Sequence, residues 1–287
     1  MEEKLNNKVS FSWDIHWKCS YRCPYCWWHG RWEELSIHNY YPGIDRLVEV
    51  WKKIYRQYGG VHIEISGGEP MIYPEFIEFL SRVTQYHTVG INTNLSCDVE
   101  KMVKKISNNV DALKVNATFH PLFANFDEFV NRISFLEKNN FSVGVSYLAW
   151  PAQIKNIPKY RKKFQKRGFR LSVLTFWGKY NGKDYPDAYT EREKKIISQN
   201  LGERSGERFQ IKPVITEGKL CRAGSVYATV HPDGKALRCG GGSWEREESP
   251  LGNIFDDEFR LLDEATPCTS KYCPCNEWAF LLVKNEK

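Results

Sequence analysis

An α/β fold of roughly six βα repeats, followed by a small cysteine-rich extension, is the architecture this sequence predicts. Two observations carry it. Over the first two-thirds of the chain, runs rich in Val, Ile and aromatic residues alternate with segments whose apolar residues recur at helical spacing. After residue 203 the alternation stops, and most of the nine cysteines crowd into the remainder.

The elements follow in order. Residues 9–15 read as the first strand and lead into a cysteine cluster. Behind Pro42, Ile44, Leu47, Val48, Trp51, Ile54 and Tyr55 keep a spacing of three and four, which predicts a helix ending at Gly59-Gly60. Strand 61–66, the turn Gly67-Gly68-Glu69-Pro70 and helix 74–86 come next. Strand 88–93 precedes helix 98–107, strand 112–119 precedes helix 126–139, and strand 141–148 precedes helix 157–167. Strand 170–176 gives way to a Gly/Tyr/Asp-rich loop and a helix over 190–200. The polar run Glu203-Arg204-Ser205-Gly206-Glu207-Arg208 reads as a connector, placing one domain at 1–204 and a second at 205–287. In the second, Pro232-Asp233-Gly234 supplies turn chemistry for a hairpin over 225–239, and 255–263 reads as a short helix.

Composition narrows the class. The 287 residues are 41% hydrophobic and 14% aromatic, which excludes a disordered or collagen-like chain. No apolar run approaches the roughly 18 residues of a membrane span, and MEEKLNNKVS lacks the order of a signal peptide, so a cytoplasmic protein is expected. The 41 Lys and Arg against 35 Asp and Glu leave +6, too mild to call for a nucleic-acid partner. In that setting nine cysteines point to metal ligation or catalysis. Cys19, Cys23 and Cys26 crowd the start, Cys221, Cys239, Cys268, Cys273 and Cys275 the end, and Cys97 stands alone as core packing. The two groups read as two metal sites.

Cys19-x3-Cys23-x2-Cys26 falls in the loop at the carboxyl end of the first strand, where parallel α/β folds build active sites. Three thiolates on a short loop can hold three irons of a cubane and leave the fourth iron open. The alternative is a structural zinc loop, with His16 or His29 as the fourth ligand.

These cysteines, with the aromatic Tyr25 before the last of them, resemble the signature of the radical S-adenosylmethionine (radical SAM) enzymes. Gly67-Gly68-Glu69-Pro70, after the second strand, resembles the same family's GGEP turn. The likeness covers residues 9–200 and implies a partial (β/α)6 barrel with a cluster-binding extension. It implies a [4Fe-4S] cluster whose open iron chelates S-adenosylmethionine, with the backbone around Tyr25 at the adenine and Gly67, Gly68, Glu69 and Pro70 at the methionine amine. Asn92, Asn94, Asn116 and Thr118, at later strand ends, are placed for ribose or carboxylate contacts or serve those ends structurally. Reduction by a partner such as flavodoxin or ferredoxin would cleave the sulfonium and release a hydrogen-abstracting radical.

Cys221-x12-Gly234-x4-Cys239 spans the predicted hairpin, so its closure would bring both sulfurs near one point. With Cys268-x4-Cys273-x1-Cys275 the set resembles the Twitch variant of the SPASM extension, which implies one auxiliary [4Fe-4S] cluster. It has fewer cysteines than full SPASM domains and lacks a C-x2-C ending, so the choice among Cys268, Cys273 and Cys275 stays open. A zinc knuckle is the competing reading. Five cysteines for four positions leave one spare, a thiol hydrogen donor or inert packing.

Other candidates are weighed more evenly. Trp27, Trp28, His29, Arg31 and Trp32 could wall the cavity or pack on the first helix. His62 and Glu64 share one face of the second strand, as substrate contacts or as an exterior polar pair. His120-Pro121 ends a strand and could face the site. Tyr147, Trp150, Trp177 and Tyr180 could stack on a substrate, although such aromatics are more often core. The basic stretch 159–170 reads as a solvated helix face.

The activity expected is a radical SAM reaction on a carbon–hydrogen bond. The single auxiliary site resembles aminocyclitol dehydrogenases and sugar or peptide epimerases of the superfamily, and no leader-recognition domain fits ahead of residue 9. Dehydrogenation or epimerisation of a sugar- or aminocyclitol-like substrate is therefore favoured, with radical modification of a ribosomal peptide as runner-up. From another class, a non-enzymatic metal- and nucleic-acid-binding module is retained, against which the GGEP turn argues.

Overall fold

Buried apolar residues recur at alternate positions along most strands in the first two-thirds of this chain, and six of these strands line up in parallel in chain order. The computed structural model describes residues 8–200, 214–240, 250–273 and 278–283. The strands are β1 (Ser10–Asp14), β2 (His62–Ser66), β3 (Thr88–Thr93), β4 (Leu113–Thr118), β5 (Ser142–Ala149) and β6 (Leu171–Thr175). Every neighbouring pair is parallel, which demands a crossover each time, and helices supply it. The result is a partial (β/α)6 barrel.

Helices Ile44–Tyr58, Phe76–Val83, Val99–Ile106, Phe126–Lys138 and Ile157–Gln165 connect the strands. The apolar strand face is buried in one core with them: Phe11, Trp13, Ile63, Ile65, Val89, Ile91, Val115 and Ala117 are at most 1% exposed. Trp13 packs its ring 5.4 Å from Trp51 and 5.6 Å from Phe79, locking β1 to two helices. Two helix starts are closed by side chains, Asp98 accepting from the Glu100 N–H and Asn125 from those of Asp127 and Glu128. The opposite face is polar and less deeply buried: Ser12, Asp14, His62, Glu64, Ser66, Asn92, Asn116 and Thr118 alternate with the core residues.

Three differences from the sequence reading have physical causes. The loop after β6 is itself a hairpin, β7 (Gly178–Tyr180) with β8 (Lys183–Tyr185), turned by Asn181-Gly182 with both residues at positive φ. Asn-Gly is the commonest hairpin turn pair, so the signal was present. Helix Glu191–Asn200 follows as expected. Second, the helix expected over 255–263 is a series of turns. Its backbone is committed elsewhere: the Asn253 side chain accepts from the Phe255 N–H, Tyr58 Oη from the Leu261 N–H, and Gln57 donates to the Phe259 carbonyl. Third, the expected helix over 74–86 is the shorter Phe76–Val83, entered through Glu75 in the left-handed region.

The domain boundary at 204/205 lies outside the described residues. Beyond it are the short strands β9 (Val214–Ile215) and β10 (Leu220–Cys221), then β11 (Tyr227–Val230), β12 (Lys235–Leu237) and β13 (Pro250–Asn253). β11 and β12 are the expected hairpin. β11 also pairs in parallel with β1 on the side away from β2, Phe11 opposite Ala228, so the sheet runs β13-β12-β11-β1-β2-β3-β4-β5-β6. β14 (Thr266–Pro267) and β15 (Tyr272–Cys273) pair with β10 and β9, and helix Trp278–Leu281 ends the described chain. β1, which delivers the first cysteine loop, is thus held on both edges.

Candidate active site

The loop leaving β1 is fastened to the Gly67–Pro70 turn by backbone hydrogen bonds. The Ile15 N–H donates to Ser66 O at 3.1 Å, Gly68 N–H to His16 O at 2.7 Å, and Glu69 N–H to Lys18 O at 2.8 Å. This approach leaves no room for side chains: a Cβ at Gly67 would run into the His16 carbonyl and one at Gly68 into the Lys18 carbonyl. Gly67 also sits at φ +122°. His16 is buried with Nε2 2.8 Å from the Glu69 carbonyl, and His29 is exposed. The ring of His16 is therefore committed to the turn.

Glu69 explains why the turn carries an acid. It is 1% exposed, and burial pushes its pKa up, opposed by three donors. Oε1 accepts from the Met71 N–H at 3.0 Å and the Thr93 hydroxyl at 2.7 Å, and Oε2 from the Asn94 N–H at 2.7 Å. The carboxylate thus ties the end of β2 to the end of β3. Asn94, so placed, donates to Ser20 Oγ at 3.1 Å and reaches Cys19 Sγ at 3.8 Å.

Cys23 is buried, Cys19 and Cys26 are half-buried, and all three are free thiols. Burial raises all three, Cys23 to about 12 and Cys26 to about 11, and each lies within electrostatic reach of another member of the trio. Among the described residues no group of three His, Cys, Asp or Glu side chains is closed enough to grip a lone metal ion. The fit to a cluster rests on donor chemistry. Thiols gathered in a water-poor loop ionise readily only against a compensating cation, and iron supplies it. Above them stand aromatics: Tyr25 stacks on His120 (5.7 Å, 13°) and meets Trp150 at 5.2 Å, and Trp150 meets Tyr180 at 5.1 Å.

The structure therefore brings Cys19, Cys23, Cys26, Tyr25, Gly67, Gly68, Glu69, Pro70 and Asn94 to one end of the barrel. Asn92 and Asn116 are register partners on the polar face, with Thr118 two residues further along β4. Glu64 and His62 share that face: Asn116 Nδ2 donates to Glu64 Oε1 at 2.9 Å, and His62 Nε2 lies 3.2 Å from Glu64 Oε2. Gly90 makes this possible, since a Cβ there would collide with the Glu64 carboxylate lying across β3. Asp14 was missed, although the alternation of β1 marks it. The Ser66 hydroxyl donates to it at 2.6 Å, and burial raises it to about 6 against that hydrogen bond. Trp28 packs on Trp17 at 4.8 Å, whereas Trp27 is exposed. Tyr147 is core, and Arg161 and Arg167 of the basic helix bond to Gln199 O and Asp127.

The second cysteine group also converges. Cys221 is raised by burial and feels Cys268 and Cys273 electrostatically, while Cys239 and Cys268 pack against its apolar surroundings. Arg238, which sequence reasoning passed over, staples the segments together. Its Nε donates to Ala223 O at 2.7 Å, and its Nη atoms donate to the carbonyls of Cys221, Thr266 and Pro267. Cys275 lies outside the described residues. Cys97 is half-buried and raised by burial to about 12.

Comparison with known proteins agrees with this geometry. Residues 17–142 match the Radical SAM superfamily profile, a span that holds the cysteine loop and the Gly67–Pro70 turn. That stretch of the chain is similar to a radical SAM domain. It is 26% identical over 189 residues to a probable GTP 3′,8-cyclase of Methanococcus maripaludis strain C6, across 61% of this chain and 62% of that protein. Its strain C5 counterpart is 25% identical over the same shares. The match thus spans less than two-thirds of these relatives. Among solved structures, Streptococcus suis SuiB superposes with a TM-score of 0.63 at 13% identity, over 88% of this chain and 67% of that one. anSMEcpe with bound AdoMet gives 0.63 at 18%, over 87% and 75%. These structures share the fold. Among the described residues no helix is long and apolar enough to cross a membrane.

Proposed function

We propose that this chain is a radical SAM enzyme that removes hydrogen from a carbon of a sugar- or aminocyclitol-like substrate, for dehydrogenation or epimerisation. The observation that carries this reading is the polar concave face beside the cysteine loop. Asp14 and Glu64 are acceptors when ionised, and with Ser12 and His62 they offer a bed for a hydroxyl- or amine-bearing molecule. The archaeal relatives are named for GTP, itself a ribose-bearing substrate.

Cys19, Cys23 and Cys26 would hold a [4Fe-4S] cluster, and the backbone of Tyr25 with Gly67, Gly68, Glu69 and Pro70 would seat S-adenosylmethionine. Together these groups supply a 5′-deoxyadenosyl radical when an electron donor such as flavodoxin or ferredoxin reduces the site. The chain's residues orient and exclude water. Glu69 holds the β2 and β3 ends in place, Tyr25, Trp150 and Tyr180 pack in a row beside the cysteine loop, and the polar face would orient one substrate carbon. Asn92, Asn94, Asn116 and Thr118 are proposed for ribose or carboxylate contacts. Four of Cys221, Cys239, Cys268, Cys273 and Cys275 would hold an auxiliary [4Fe-4S] cluster in a Twitch-like extension. Anaerobic reconstitution should then give about eight irons and eight sulfides per chain. About four irons with zinc in the second site would remove the auxiliary cluster from the proposal.

The experiment for the reaction is turnover of sugar and aminocyclitol candidates in deuterium oxide under dithionite, with 5′-deoxyadenosine measured alongside. Loss of two mass units without deuterium means oxidation, the outcome expected if the spare thiol is a bystander. An isobaric product with one carbon-bound deuterium means epimerisation, with a solvent-exchanged thiol among Cys268, Cys273 and Cys275 as donor. The second reading, peptide modification, has its own support, because SuiB shares the fold and anSMEcpe is known with a bound peptide. A new carbon–sulfur or carbon–carbon bond in a peptide would select it and displace the carbohydrate reading.

A further inference from the structure

Cys23 has two polar neighbours that the cluster reading alone does not use. His120, from the loop after β4, places Nδ1 3.7 Å from Cys23 Sγ and 3.0 Å from Tyr25 Oη. The Tyr25 hydroxyl and the Cys23 sulfur thus meet at the same ring nitrogen, two residues apart on one loop. The three groups make a triangle. Its geometry is built by tertiary structure, since His120 comes from 97 residues beyond Cys23. The imidazole stacks on Tyr25 and stands edge-on to Tyr21 at 5.9 Å. Its own carbonyl accepts from the Phe123 and Ala124 N–H groups, which fixes the backbone.

We propose that His120 and Tyr25 form a donor relay onto the cluster ligand Cys23 and thereby set the reduction potential of the site. The proposal rests on reading Cys19, Cys23 and Cys26 as cluster ligands. A ligating cysteine is a thiolate and can only accept, so the neighbouring hydroxyl has to donate to it. The Tyr25 hydroxyl has one proton. Given to sulfur, it leaves the phenol oxygen free to accept, and the group beside that oxygen is His120 Nδ1. The imidazole would therefore carry its proton on Nδ1, donating to Tyr25 Oη and leaning on the sulfur itself. With the other tautomer, Nδ1 would draw the hydroxyl proton away from Cys23. Hydrogen bonds to ligand sulfurs stabilise the more negative, reduced cluster and raise its potential. His120 and Tyr25 are positioning residues in this scheme, acting on the ease of the first electron.

The test is a redox titration of the reconstituted full chain followed by electron paramagnetic resonance. The signal to follow is the one that changes on adding S-adenosylmethionine, because it belongs to the cluster with an open iron. Tyr25→Phe keeps the ring stack and removes only the hydroxyl. His120→Phe removes the ring donor, and His120→Gln restores a donor. With iron content unchanged, the Phe variants should titrate at more negative potential than the wild type, and Gln should recover part of the shift. His120→Phe in the Tyr25→Phe background should shift the potential less than it does alone, since only the direct 3.7 Å approach of Nδ1 to the sulfur is then left to lose. Potentials equal to the wild type in both single Phe variants would overturn the proposal. A shift to more positive potential in His120→Phe would overturn it as well, because it would mean that the imidazole had been withdrawing the proton. Absence of any S-adenosylmethionine-responsive signal in the wild type would defeat the cluster reading itself, and the relay with it. The two failures are thus told apart.

Discussion

Replacing Cys19, Cys23 and Cys26 together with alanine is expected to reduce 5′-deoxyadenosine formation under dithionite to the level of a protein-free blank. These are the sulfurs gathered where β1 ends, and the loop presents no other set of three thiols to hold irons there. Each removed sulfur leaves only a small void, and β1 stays paired to β2 and β11, so the fold should survive and far-ultraviolet circular dichroism should be unchanged. The contrast is Cys221→Ala or Cys268→Ala. Losing an auxiliary ligand leaves the first loop intact, so S-adenosylmethionine should still be cleaved, now uncoupled from product. Undiminished 5′-deoxyadenosine in the triple variant would remove the assignment of this loop. Complete loss of cleavage in both single variants, with the first cluster still loaded, would instead show that the extension controls the first step.

Local features were legible wherever local chemistry decides them. β3 spans Thr88–Thr93 as its alternation predicts, and helix Ile44–Tyr58 ends at the glycine pair that marks it. The cysteine loop and the GGEP turn could be read because each is a short fixed spacing. What could not be read is non-local. The parallel pairing of β11 with β1 joins residues more than two hundred positions apart and leaves no turn signal between them. The 255–263 segment had apolar residues at helical spacing, but side chains of Gln57, Tyr58 and Asn253 claim its backbone groups. Arg238 resembled any hairpin arginine until the carbonyls it meets were in place. Asp14 belongs to a third kind: its alternation with Trp13 is visible, but the Ser66 hydroxyl reaches it only once β1 and β2 pair.

Gly68→Ala is expected to damage both stability and activity, and for a reason separate from ligand binding. Glycine here is expected, from the resemblance to the radical SAM turn, to allow close approach of the methionine amine. The structure adds an approach by the chain's own backbone, because the added Cβ would collide with the Lys18 carbonyl, with Trp17 backbone also close. Backbone cannot rotate away as a side chain can, so the β1 loop and the turn would have to separate. That separation strains or breaks Gly68 N–H to His16 O and Glu69 N–H to Lys18 O, each worth about 1 kcal/mol net. With the displacement added, a cost of about 3 kcal/mol or more is expected, among the larger values for one substitution. Gly59→Ala is the control. Gly59 has φ +72° with ψ −160°, a region that belongs almost wholly to glycine, and open space around its would-be Cβ, so it should lose about 1–3 kcal/mol to backbone strain alone. Denaturant titration should rank Gly68→Ala below Gly59→Ala. Cleavage of S-adenosylmethionine should fall in Gly68→Ala even at temperatures where it remains folded, since Lys18 adjoins Cys19 and displacing it displaces the first sulfur. A Gly68→Ala protein as stable and active as the wild type would mean that the loop and turn are not clamped together, and the geometry of the first site would have to be drawn again.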